Sequence, residues 1–345
     1  MKSVIITGCA GFIGSHLAEY FLKQGATVVG IDNLSRAGSE TNLEKLRNRY
    51  GNCFHFHKQD IRNFAAVRSI FAEADPELVI HHAAQVAVTT SITDPREDFE
   101  INALGTFNIL EATRLEAPDA FFEFASTNKV YGKMDDLEII ERGGRYDYAN
   151  LPHGIDETRG LDFHSPYGCS KGTADQYVRD YSRVYGLRSV VLRQSCIYGT
   201  RQFGVEDQGW VAWFTIASIL GKPITIYGDG KQGRDLLWID DLESVYAGLY
   251  EHADKTAGEI YNVGGGPENV LSLLELVEQL RRASILRRPA NFAEWRQGDQ
   301  KVFVCDIRKL SKAIHWKPSV SPREGVDRLI AWSMDNKELL NRLLS

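Results

Sequence analysis

The sequence contains few cysteines and places them far apart. Cys9, Cys53, Cys169, Cys196 and Cys305 form no Cys-x-x-Cys motif. An odd and scattered set argues against a disulfide framework and against a zinc site, and it is typical of proteins in a reducing compartment.

Long apolar runs are also missing. No stretch of about 18 apolar residues occurs, so no membrane span is expected. The N-terminus lacks the long apolar region and the small-residue cleavage site of a signal peptide, because it runs directly into the strand pattern Ser3–Thr7. We therefore expect a cytoplasmic protein.

The chain has no excess of basic charge. It carries 40 lysines and arginines against 46 acidic residues, a net charge of −6, and shows no dense basic stripe. This balance argues against a nucleic-acid partner. With 345 residues, the chain is longer than a single compact core usually holds, and we expect two lobes.

The first half of the chain alternates short β-branched runs with periodic helical segments. Such alternation predicts an α/β fold, a Rossmann-type doubly wound parallel sheet with helices on both faces. The predicted strands are Val4–Thr7, Thr27–Asp32, Glu77–His82, Phe121–Ala125 and Ser189–Gln194, and the predicted helices are Phe12–Gln24, Asn63–Ala74 and Pro95–Glu116.

Beyond Cys196 the alternation weakens, which predicts a smaller C-terminal lobe of mixed α/β structure. A helix is predicted at Glu206–Leu220, a strand at Ile224–Tyr227 and an amphipathic helix at Ser272–Leu286. Residues 132–165 are polar and rich in Gly, Asp and Tyr. A connection of this length is either functional or a surface excursion, and both alternatives stay open.

Three glycines stand between the first strand and the first helix. Gly8, Gly11 and Gly14 have the spacing Gly-x-x-Gly-x-x-Gly, and glycines at such a turn let a pyrophosphate approach the backbone and the helix N-terminus. Asp32 ends the second strand, 18 residues after Gly14. An acid there accepts hydrogen bonds from ribose hydroxyls and repels a 2′-phosphate, which favours NAD over NADP. Arg36 is the counter-indication, because a nearby arginine can serve that phosphate.

Tyr167 and Lys171 are four residues apart and therefore share one face of a helix. A phenol beside an ammonium can form a proton-transfer pair, since a nearby positive charge favours the phenolate. The same spacing also arises by chance on solvated helix faces. Its meaning comes from the dinucleotide signal and from the wider sequence.

Short stretches in a fixed order resemble the extended short-chain dehydrogenase/reductase family, the NAD-dependent epimerases and dehydratases. They are TGCAGFIG at the start, IDN at 31–33, DIR at 60–62, HHAAQ at 81–85, INALGT at 101–106, STNKVYG at 126–132, YGCSK at 167–171, YGDGKQGRDLLWIDDL at 227–242, YNVGGG at 261–266 and WRQGD at 295–299. Together they extend over nearly the whole chain.

This resemblance implies a division into lobes and a set of cofactor residues. It implies that residues 1–195, with 235–263 returning to them, form the NAD-binding lobe, and that residues 196–234 and 264–345 form the nucleotide-sugar lobe. The residues implied to hold NAD are Gly8, Gly11, Phe12, Ile13, Gly14, Asp32, Asn33, Ser35, Arg36, Asp60, Ile61, Ala83, Ala84, Gln85, Asn102, Tyr167, Lys171 and Gln194.

By the same resemblance the catalytic group is Thr127, Tyr167 and Lys171. Thr127 would bond the reacting sugar oxygen, Tyr167 would take the hydroxyl proton, and Lys171 would lower the Tyr167 pKa and hold the nicotinamide ribose. The implied substrate contacts, among them arginines suited to a diphosphate, are Val86, Thr127, Asn128, Cys196, Arg201, Gln202, Gln208, Trp210, Arg234, Arg296 and Asp299.

The residues after Thr127 narrow the reaction. Dehydratases of the family carry Asp-Glu there, because eliminating water needs an acid and a base, whereas this chain has Asn128 and Lys129. Residues 151–187 and 201–214 resemble the family members that invert C2 of a CDP-linked dideoxy sugar used in lipopolysaccharide O-antigen. The resemblance implies oxidation at C2 by tightly held NAD, a 2-keto sugar, and return of the hydride to the other face.

Several alternatives stay open. The run Gln194-Ser-Cys-Ile197 departs from the pattern of those 2-epimerases, so a hydroxylated sugar such as CDP-glucose is an alternative substrate. The competing classes are a nucleotide-sugar 4-epimerase or ketoreductase, and a catalytically silent NAD-binding regulator or scaffold. Family members commonly pair through the helices near Pro95–Glu116 and Pro166–Tyr185, which implies a homodimer or homotetramer.

Overall fold

The computed structural model describes residues 3–206, 208–296 and 299–344. Its strands are β1 (Ser3–Thr7), β2 (Thr27–Asp32), β3 (Phe54–Lys58), β4 (Leu78–His81), β5 (Phe121–Thr127), β6 (Ile139–Arg142), β7 (Arg145–Tyr148), β8 (Ser189–Gln194), β9 (Cys196–Tyr198), β10 (Thr225–Tyr227), β11 (Gly233–Trp238), β12 (Ile260–Val263), β13 (Val270–Ser272), β14 (Asn291–Ala293) and β15 (Val302–Phe303). Its helices are α1 (Phe12–Lys23), α2 (Ser39–Tyr50), α3 (Phe64–Ala74), α4 (Val88–Thr93), α5 (Pro95–Phe99), α6 (Gly105–Glu116), α7 (Ser165–Tyr185), α8 (Trp210–Leu220), α9 (Ile239–Glu251), α10 (Ala253–Thr256), α11 (Leu273–Arg282), α12 (Arg308–Ile314), α13 (Pro322–Asp335) and α14 (Lys337–Leu344).

Seven strands form the central sheet, in the order β3-β2-β1-β4-β5-β8-β12. Every neighbouring pair is parallel. The chain order reverses between β1 and β4, and ligands of doubly wound folds bind at the carboxyl ends of the strands beside such a switch point. The predicted α/β fold class is confirmed. The sequence pattern did not indicate β3, because this edge strand is only partly buried.

Apolar side chains cover both faces of the central sheet, because successive residues of a strand point to opposite faces. In β1, Val4 and Ile6 belong to one core cluster, whereas Ile5 belongs to the other. The first cluster includes Leu17 of α1, and the second includes Phe71 of α3. Burial on both faces explains why β1 is a continuous apolar run in the sequence.

A second, smaller sheet lies beyond β8. Strands β9 and β15 pair in parallel with β11, and β13 pairs antiparallel with it. Strands β10 and β14 form a separate parallel pair. After contributing β9 and β11 to the smaller sheet, the chain returns to the central sheet, where β12 pairs with β8. The predicted bounds of the two lobes stay a prediction.

Residues 132–165 contain the antiparallel hairpin of β6 and β7 and are partly packed into the protein. Tyr148 and Ile155 are buried in one apolar cluster with Phe303 and Cys305. Ile155 also forms a parallel bridge with Cys305. The segment therefore connects the end of β5 to the smaller sheet, which distinguishes it from a free surface excursion.

The helix predicted at Glu206–Leu220 is shorter in the structure and begins at Trp210. Gly209 adopts φ +72°, a left-handed conformation that interrupts the helix. Val205 and Gln208 exchange two backbone hydrogen bonds in a tight turn before it. Residue 207 lies outside the described part of the chain.

The helix predicted at Pro95–Glu116 forms three pieces, in which the π-helical turn Glu100–Leu104 separates α5 from α6. Such turns are frequent at functional sites, and this one contains Asn102. The helix predicted at Ser272–Leu286 is the shorter α11, and Ser272 caps it in a capping box with Glu275.

Helix α7 carries both Tyr167 and Lys171. Pro166 lies in its first turn, where a missing N–H costs nothing, and Gly186 ends it in a left-handed conformation. Over the described ranges, none of the helices combines the length and the apolar character needed to span a membrane.

Candidate active site

A cleft of about 450 Å³ opens where β1, β2 and β4 end. Most residues predicted to hold NAD line it, namely Gly8, Gly11, Phe12, Ile13, Gly14, Asp32, Asn33, Ser35, Arg36, Asp60, Ile61, Ala83, Ala84 and Gln85. Four residues predicted for the substrate also line it, namely Val86, Arg201, Gln202 and Gln208. Ala10, Asn42 and His82 line it as well, and sequence reasoning missed all three.

The glycine turn after β1 brings backbone close to backbone. Gly8 has φ +70°, and a Cβ there would lie 2.8 Å from the Ala83 nitrogen. A Cβ on Gly14 would overlap the Gly8 oxygen. Gly11 is the N-cap of α1, and no side chain of the described residues caps that helix end. The first amides of α1 are therefore available to an anion, which the helix dipole also favours.

Two carboxylates stand near the ends of β2 and β3. Asp32 accepts hydrogen bonds from the backbone N–H groups of Ala10 at 3.0 Å and Leu34 at 2.8 Å, and burial raises its pKa. Asp60 accepts from Arg62 and Asn33, and the Arg62 hydrogen bonds lower its pKa to about 2. Acids at this end of the cleft suit ribose hydroxyls and oppose a 2′-phosphate.

Arg36, the residue that could favour NADP by binding its 2′-phosphate, makes a contact across the cleft. Its guanidinium donates a hydrogen bond to the side-chain oxygen of Gln208. The loop after β2 is thereby joined to the turn before α8. This contact occupies part of the guanidinium that a 2′-phosphate would require.

His82 contributes a buried polar atom to the cleft. Its Nε2 atom has no hydrogen-bond partner among the residues that the structure describes. Burial lowers the His82 pKa to about 3, so the ring is neutral. Buried polar atoms without partners are uncommon in proteins, and this one belongs to a residue that lines the cleft together with open amides and carboxylates. The residues present therefore fit a dinucleotide.

A buried hydrogen-bond network joins the end of β4 to α7. The Asn102 side chain donates to Asp98, Ser170 and the Gln85 carbonyl, and it accepts from the Gln85 N–H at 2.9 Å. Ser170 donates to Asp98 at 2.5 Å. The network fixes α7 beside the cleft. Sequence reasoning missed Asp98 and Ser170, and the spacing of four residues between Asp98 and Asn102 was the available signal.

Thr127 and Tyr167 meet at the end of β5. A hydrogen bond between their side chains lowers the Tyr167 pKa, but burial of the phenol has the larger effect and raises this pKa to about 12. Both residues are buried. The phenol is therefore protonated at neutral pH, and a nearby positive charge is needed before it can act as a base.

Lys171 lies one turn further along α7. Its ammonium donates to the Ala125 carbonyl at 2.6 Å and lies 4.2 Å from the centroid of the Phe124 ring. Burial lowers the Lys171 pKa to about 7, against the raising effect of Asp175 and Asp98. Burial, the Thr127 hydrogen bond and the Asp98 charge act on the Tyr167 pKa, and the predicted lowering of this pKa by Lys171 stays a prediction.

A second polar group lies where the end of β5 approaches β9 and β11. The Lys129 ammonium donates to the Gln300 side chain at 3.3 Å, and the Arg234 guanidinium donates to the Gln300 carbonyl at 2.6 Å. Burial lowers the Lys129 pKa to about 8, and Arg234, Asp299 and Cys196 all act on it electrostatically. Three predicted substrate residues thus converge with Lys129 and Gln300, to which sequence reasoning gave no role.

Two further predicted residues flank this polar group. Burial raises the Cys196 pKa to about 11, although a hydrogen bond with the Trp210 side chain lowers it. The Asn128 side-chain oxygen lies 3.4 Å from the Thr127 hydroxyl, which donates to it. Their predicted contacts with a substrate stay predictions.

Two predicted residues have partners inside the protein. Arg201 forms an ion pair with Glu19 at 2.9 Å and donates to His16 at 3.0 Å. The Gln194 amide donates to the Tyr246 hydroxyl at 2.8 Å. These contacts engage both side chains within the protein, so their predicted roles toward phosphate and nicotinamide stay predictions.

The Arg296 side chain contacts Tyr227 and Glu206. Its guanidinium stacks 3.8 Å from the Tyr227 ring centroid and approaches the Glu206 carbonyl at 3.5 Å. Gln297 and Gly298 of the WRQGD stretch lie outside the described residues. The predicted diphosphate contact of Arg296 stays a prediction.

Comparison with known proteins identifies the family. The family described as GDP-mannose 4,6-dehydratase matches residues 5–329. The chain belongs to this family of NAD-dependent nucleotide-sugar epimerases and dehydratases.

Individual proteins of known activity are similar to the chain over nearly its whole length. A CDP-paratose 2-epimerase from Salmonella typhi is 44% identical over 335 residues, which cover 96% of this chain and 98% of that protein. UDP-glucuronic acid 4-epimerase from Bacillus cereus, in complex with UDP-glucuronic acid and NAD, has a TM-score of 0.83 at 28% identity and covers 98% of this chain and 99% of its own. dTDP-glucose 4,6-dehydratase from Bacillus anthracis, in complex with NAD, has a TM-score of 0.81 at 25% identity, over 99% and 100% of the two chains. The predicted family is confirmed, as is the predicted likeness to the 2-epimerases of CDP-linked sugars.

Proposed function

We propose that this protein is an NAD-dependent nucleotide-sugar epimerase that inverts C2 of a CDP-linked sugar. The reaction is of the CDP-paratose to CDP-tyvelose type, or of the CDP-glucose to CDP-mannose type. The observation that carries the proposal is the contact between Thr127 and Tyr167, on elements fixed beside a dinucleotide-sized cleft, in a chain 44% identical to a CDP-paratose 2-epimerase.

Several residues of the cleft would hold the cofactor. The turn from Gly8 to Gly14 accommodates the pyrophosphate, and Asp32 accepts hydrogen bonds from the adenosine ribose. Asp60 would flank the adenine, and Gln85, which the Asn102 network fixes, would line the cofactor.

Proton transfer is assigned to Tyr167. Its phenolate accepts the proton of the C2 hydroxyl while the Thr127 hydroxyl bonds the same oxygen, and the phenol returns the proton after inversion. When bound, NAD would accept the hydride from C2 and return it, and its positively charged ring would lower the Tyr167 pKa from about 12. Burial of Tyr167 and Thr127 keeps water away from this transfer. The cycle consumes no reductant.

Elimination of water fits the site less well than epimerisation. Dehydratases require an acid and a base beside the sugar, and the chain places the amide of Asn128 and the ammonium of Lys129 after Thr127. Cys196 is a poor replacement base, because burial raises its pKa to about 11. An epimerase needs only the Tyr167 hydroxyl for its proton steps.

The proposal is tested by identifying the cofactor and the product together. The purified protein is denatured and released NAD(H) is identified, while CDP-, UDP- and GDP-sugars are screened for epimer formation by NMR. We expect bound NAD(H) and inversion at C2 of a CDP-sugar without net consumption of NADH. Absence of a dinucleotide, or stoichiometric consumption of NADH, would contradict the proposal.

A nucleotide-sugar 4-epimerase or ketoreductase is the second candidate. The structural similarity to UDP-glucuronic acid 4-epimerase favours it, as does the altered run from Gln194 to Ile197 near the substrate group. The NMR product assignment separates inversion at C4 from inversion at C2, and net oxidation of NADH identifies a reductase.

We also propose that the protein forms a homodimer, or a tetramer built from such dimers. Phe99 and Leu104 beside α6, and Val184 and Tyr185 on α7, are 42–62% exposed. Apolar side chains concentrated in this way are typical of an interface, and paired helices from two protomers would form a four-helix bundle. Light scattering should show a dimer or tetramer that Phe99→Glu combined with Val184→Glu reduces to a monomer. An unchanged mass in that variant would contradict this interface.

A further inference from the structure

Two cations, Lys129 and Arg234, converge on Gln300, and the backbone of Lys129 contacts Thr127. The Lys129 backbone N–H donates to the Thr127 hydroxyl at 3.3 Å, so the lysine is held within one turn of the catalytic threonine. Its ammonium reaches the Gln300 side chain at 3.3 Å. The Arg234 guanidinium donates to the carbonyls of Gly233 at 2.8 Å and Gln300 at 2.6 Å.

The cations of this pair lack a directly contacting carboxylate among the residues that the structure describes. Asp299 acts electrostatically on both cations, and Asp235 acts on Arg234 alone. Within the described ranges no carboxylate oxygen lies within 4.0 Å of either cation, and Asp235 accepts hydrogen bonds from the Ser195 hydroxyl and the Gly266 N–H instead. A bound anion would accept hydrogen bonds from the N–H groups of both cations.

The position of the pair relative to Thr127 matches one feature of the substrate. In a sugar joined to a nucleoside diphosphate, the β-phosphate is attached through oxygen to C1, and C2 is the next carbon. A reaction at C2 therefore requires a phosphate-binding cation close to the residue that holds the reacting hydroxyl. The C4 hydroxyl lies across the ring from that phosphate, so a reaction at C4 needs no such proximity.

On the basis of the proposed function, we propose that Lys129, together with Arg234, binds the β-phosphate of the nucleotide sugar and thereby places C2 against Thr127 and Tyr167. Lys129 is in this sense a specificity-determining residue. It occupies the chain position at which dehydratases of the family carry the Glu of their Asp-Glu pair, so one substitution both removes a base and adds a phosphate ligand.

Because the Lys129 ammonium can lose its proton, the binding of phosphate at this site should depend on pH. Burial and the Arg234 charge from β11 lower its pKa to about 8, whereas Asp299 before β15 and Cys196 on β9 raise it. Below this value the ammonium binds phosphate, and above it the neutral amine does not. Affinity for a nucleoside diphosphate should therefore fall as pH rises through about 8. An arginine at this position stays charged and should remove that dependence.

The test measures binding without turnover. Calorimetry with CDP, UDP and GDP is performed on the wild type, Lys129→Met, Lys129→Arg and the control Lys133→Met, which changes an exposed lysine of the same segment. A hydrogen bond to a charged group is of a size that corresponds to about 10- to 100-fold in affinity, and Lys129→Met should weaken binding by that factor. Lys129→Arg should bind like the wild type at pH 7 with a flat pH profile. The NAD content of all variants and the affinity of Lys133→Met should be unchanged.

The outcomes separate this inference from the proposed function. Unchanged affinity in Lys129→Met, or a Lys129→Arg profile that still falls near pH 8, overturns the role of Lys129. If the wild type prefers UDP or GDP, the CDP assignment fails and the Lys129 comparison is decided with that nucleotide. A wild type that binds none of the three overturns the phosphate site itself. If Lys129→Met fails to fold, the pH profiles of the wild type and Lys129→Arg decide.

Discussion

Replacing Tyr167 by phenylalanine removes the proposed proton acceptor and keeps the ring that fills its site. Tyr167 is 9% exposed, and its hydroxyl is bonded to Thr127. The variant therefore loses one oxygen atom in a place that solvent cannot readily fill. A positioned acid–base group contributes about 10²–10⁴-fold to a rate, and we expect turnover to fall by a factor in that range.

The stability cost of the same change should be small. One lost hydrogen bond corresponds to about 1 kcal/mol, which a protein of this size tolerates. Folding and NAD content should therefore be retained. Tyr177→Phe is the matched control, because Tyr177 lies on the same helix, is 46% exposed and has no assigned role.

The assay combines two measurements on each variant. Epimer formation is followed by NMR over hours, and NAD(H) released by denaturation is quantified per chain. Tyr167→Phe with more than about a tenth of wild-type turnover would refute the assignment, since the expected loss from acid–base catalysis is about 100-fold or more. Loss of NAD together with turnover would show that the phenol has a structural role instead.

Three other substitutions test the surrounding structure. Gly14→Ala should reduce the NAD content, because its Cβ would overlap the Gly8 oxygen, and absorbance of the released cofactor measures this. Asp175→Ala should destabilise the protein by about 3–5 kcal/mol in urea unfolding, because it leaves Arg193, paired at 3.0 Å in the core, uncompensated. Lys171→Met should abolish turnover. It should also stabilise the protein, and the gain should be largest at or below pH 7, because burial lowers the pKa of the Lys171 ammonium from 10.5 to about 7. The unfolded state binds more protons than the folded one between these values, so the gain in unfolding free energy should shrink as pH rises through that window.

Each of these expectations has a clear contrary result. Full cofactor content in Gly14→Ala would mean that the turn has room to relax. A cost under about 1 kcal/mol for Asp175→Ala would mean that water reaches Arg193, because exposed ion pairs contribute only that much. A Lys171→Met stability difference that is constant with pH would show that Lys171 does not carry its charge in a buried site.

The sequence allowed prediction of the features that depend on local pattern. The turn from Gly8 to Gly14 and the acid at Asp32 lie within one βαβ unit, where spacing and residue type determine the geometry. The strand Thr27–Asp32 agrees with the prediction residue for residue. The predicted α/β class follows from the same alternation of strands and helices.

The features that escaped prediction depend on contacts between distant residues. The hydrogen bond from Ser170 to Asp98 joins residues 72 positions apart, and the ion pair of Arg201 with Glu19 joins residues that are still more distant in the chain. Helix α8 begins at Trp210 because Gly209 adopts a left-handed conformation, and the hydrophobic periodicity of the sequence does not reveal such a conformation. From the sequence, position 129 was identified only as one where the carboxylate of the dehydratases is absent. The groups that act on Lys129 come from three other segments of the chain, so sequence alone did not show them.

The most direct test of the proposed reaction determines what happens to the hydrogen atom on C2 of the sugar. A CDP-sugar carrying deuterium at C2 is incubated with the protein, and the product is examined by proton NMR. The proposed mechanism predicts an epimer inverted at C2 that retains the deuterium on C2, because the hydride leaves and returns at the same carbon. Inversion at C4 with C2 unchanged, or replacement of the deuterium by solvent hydrogen, would contradict it.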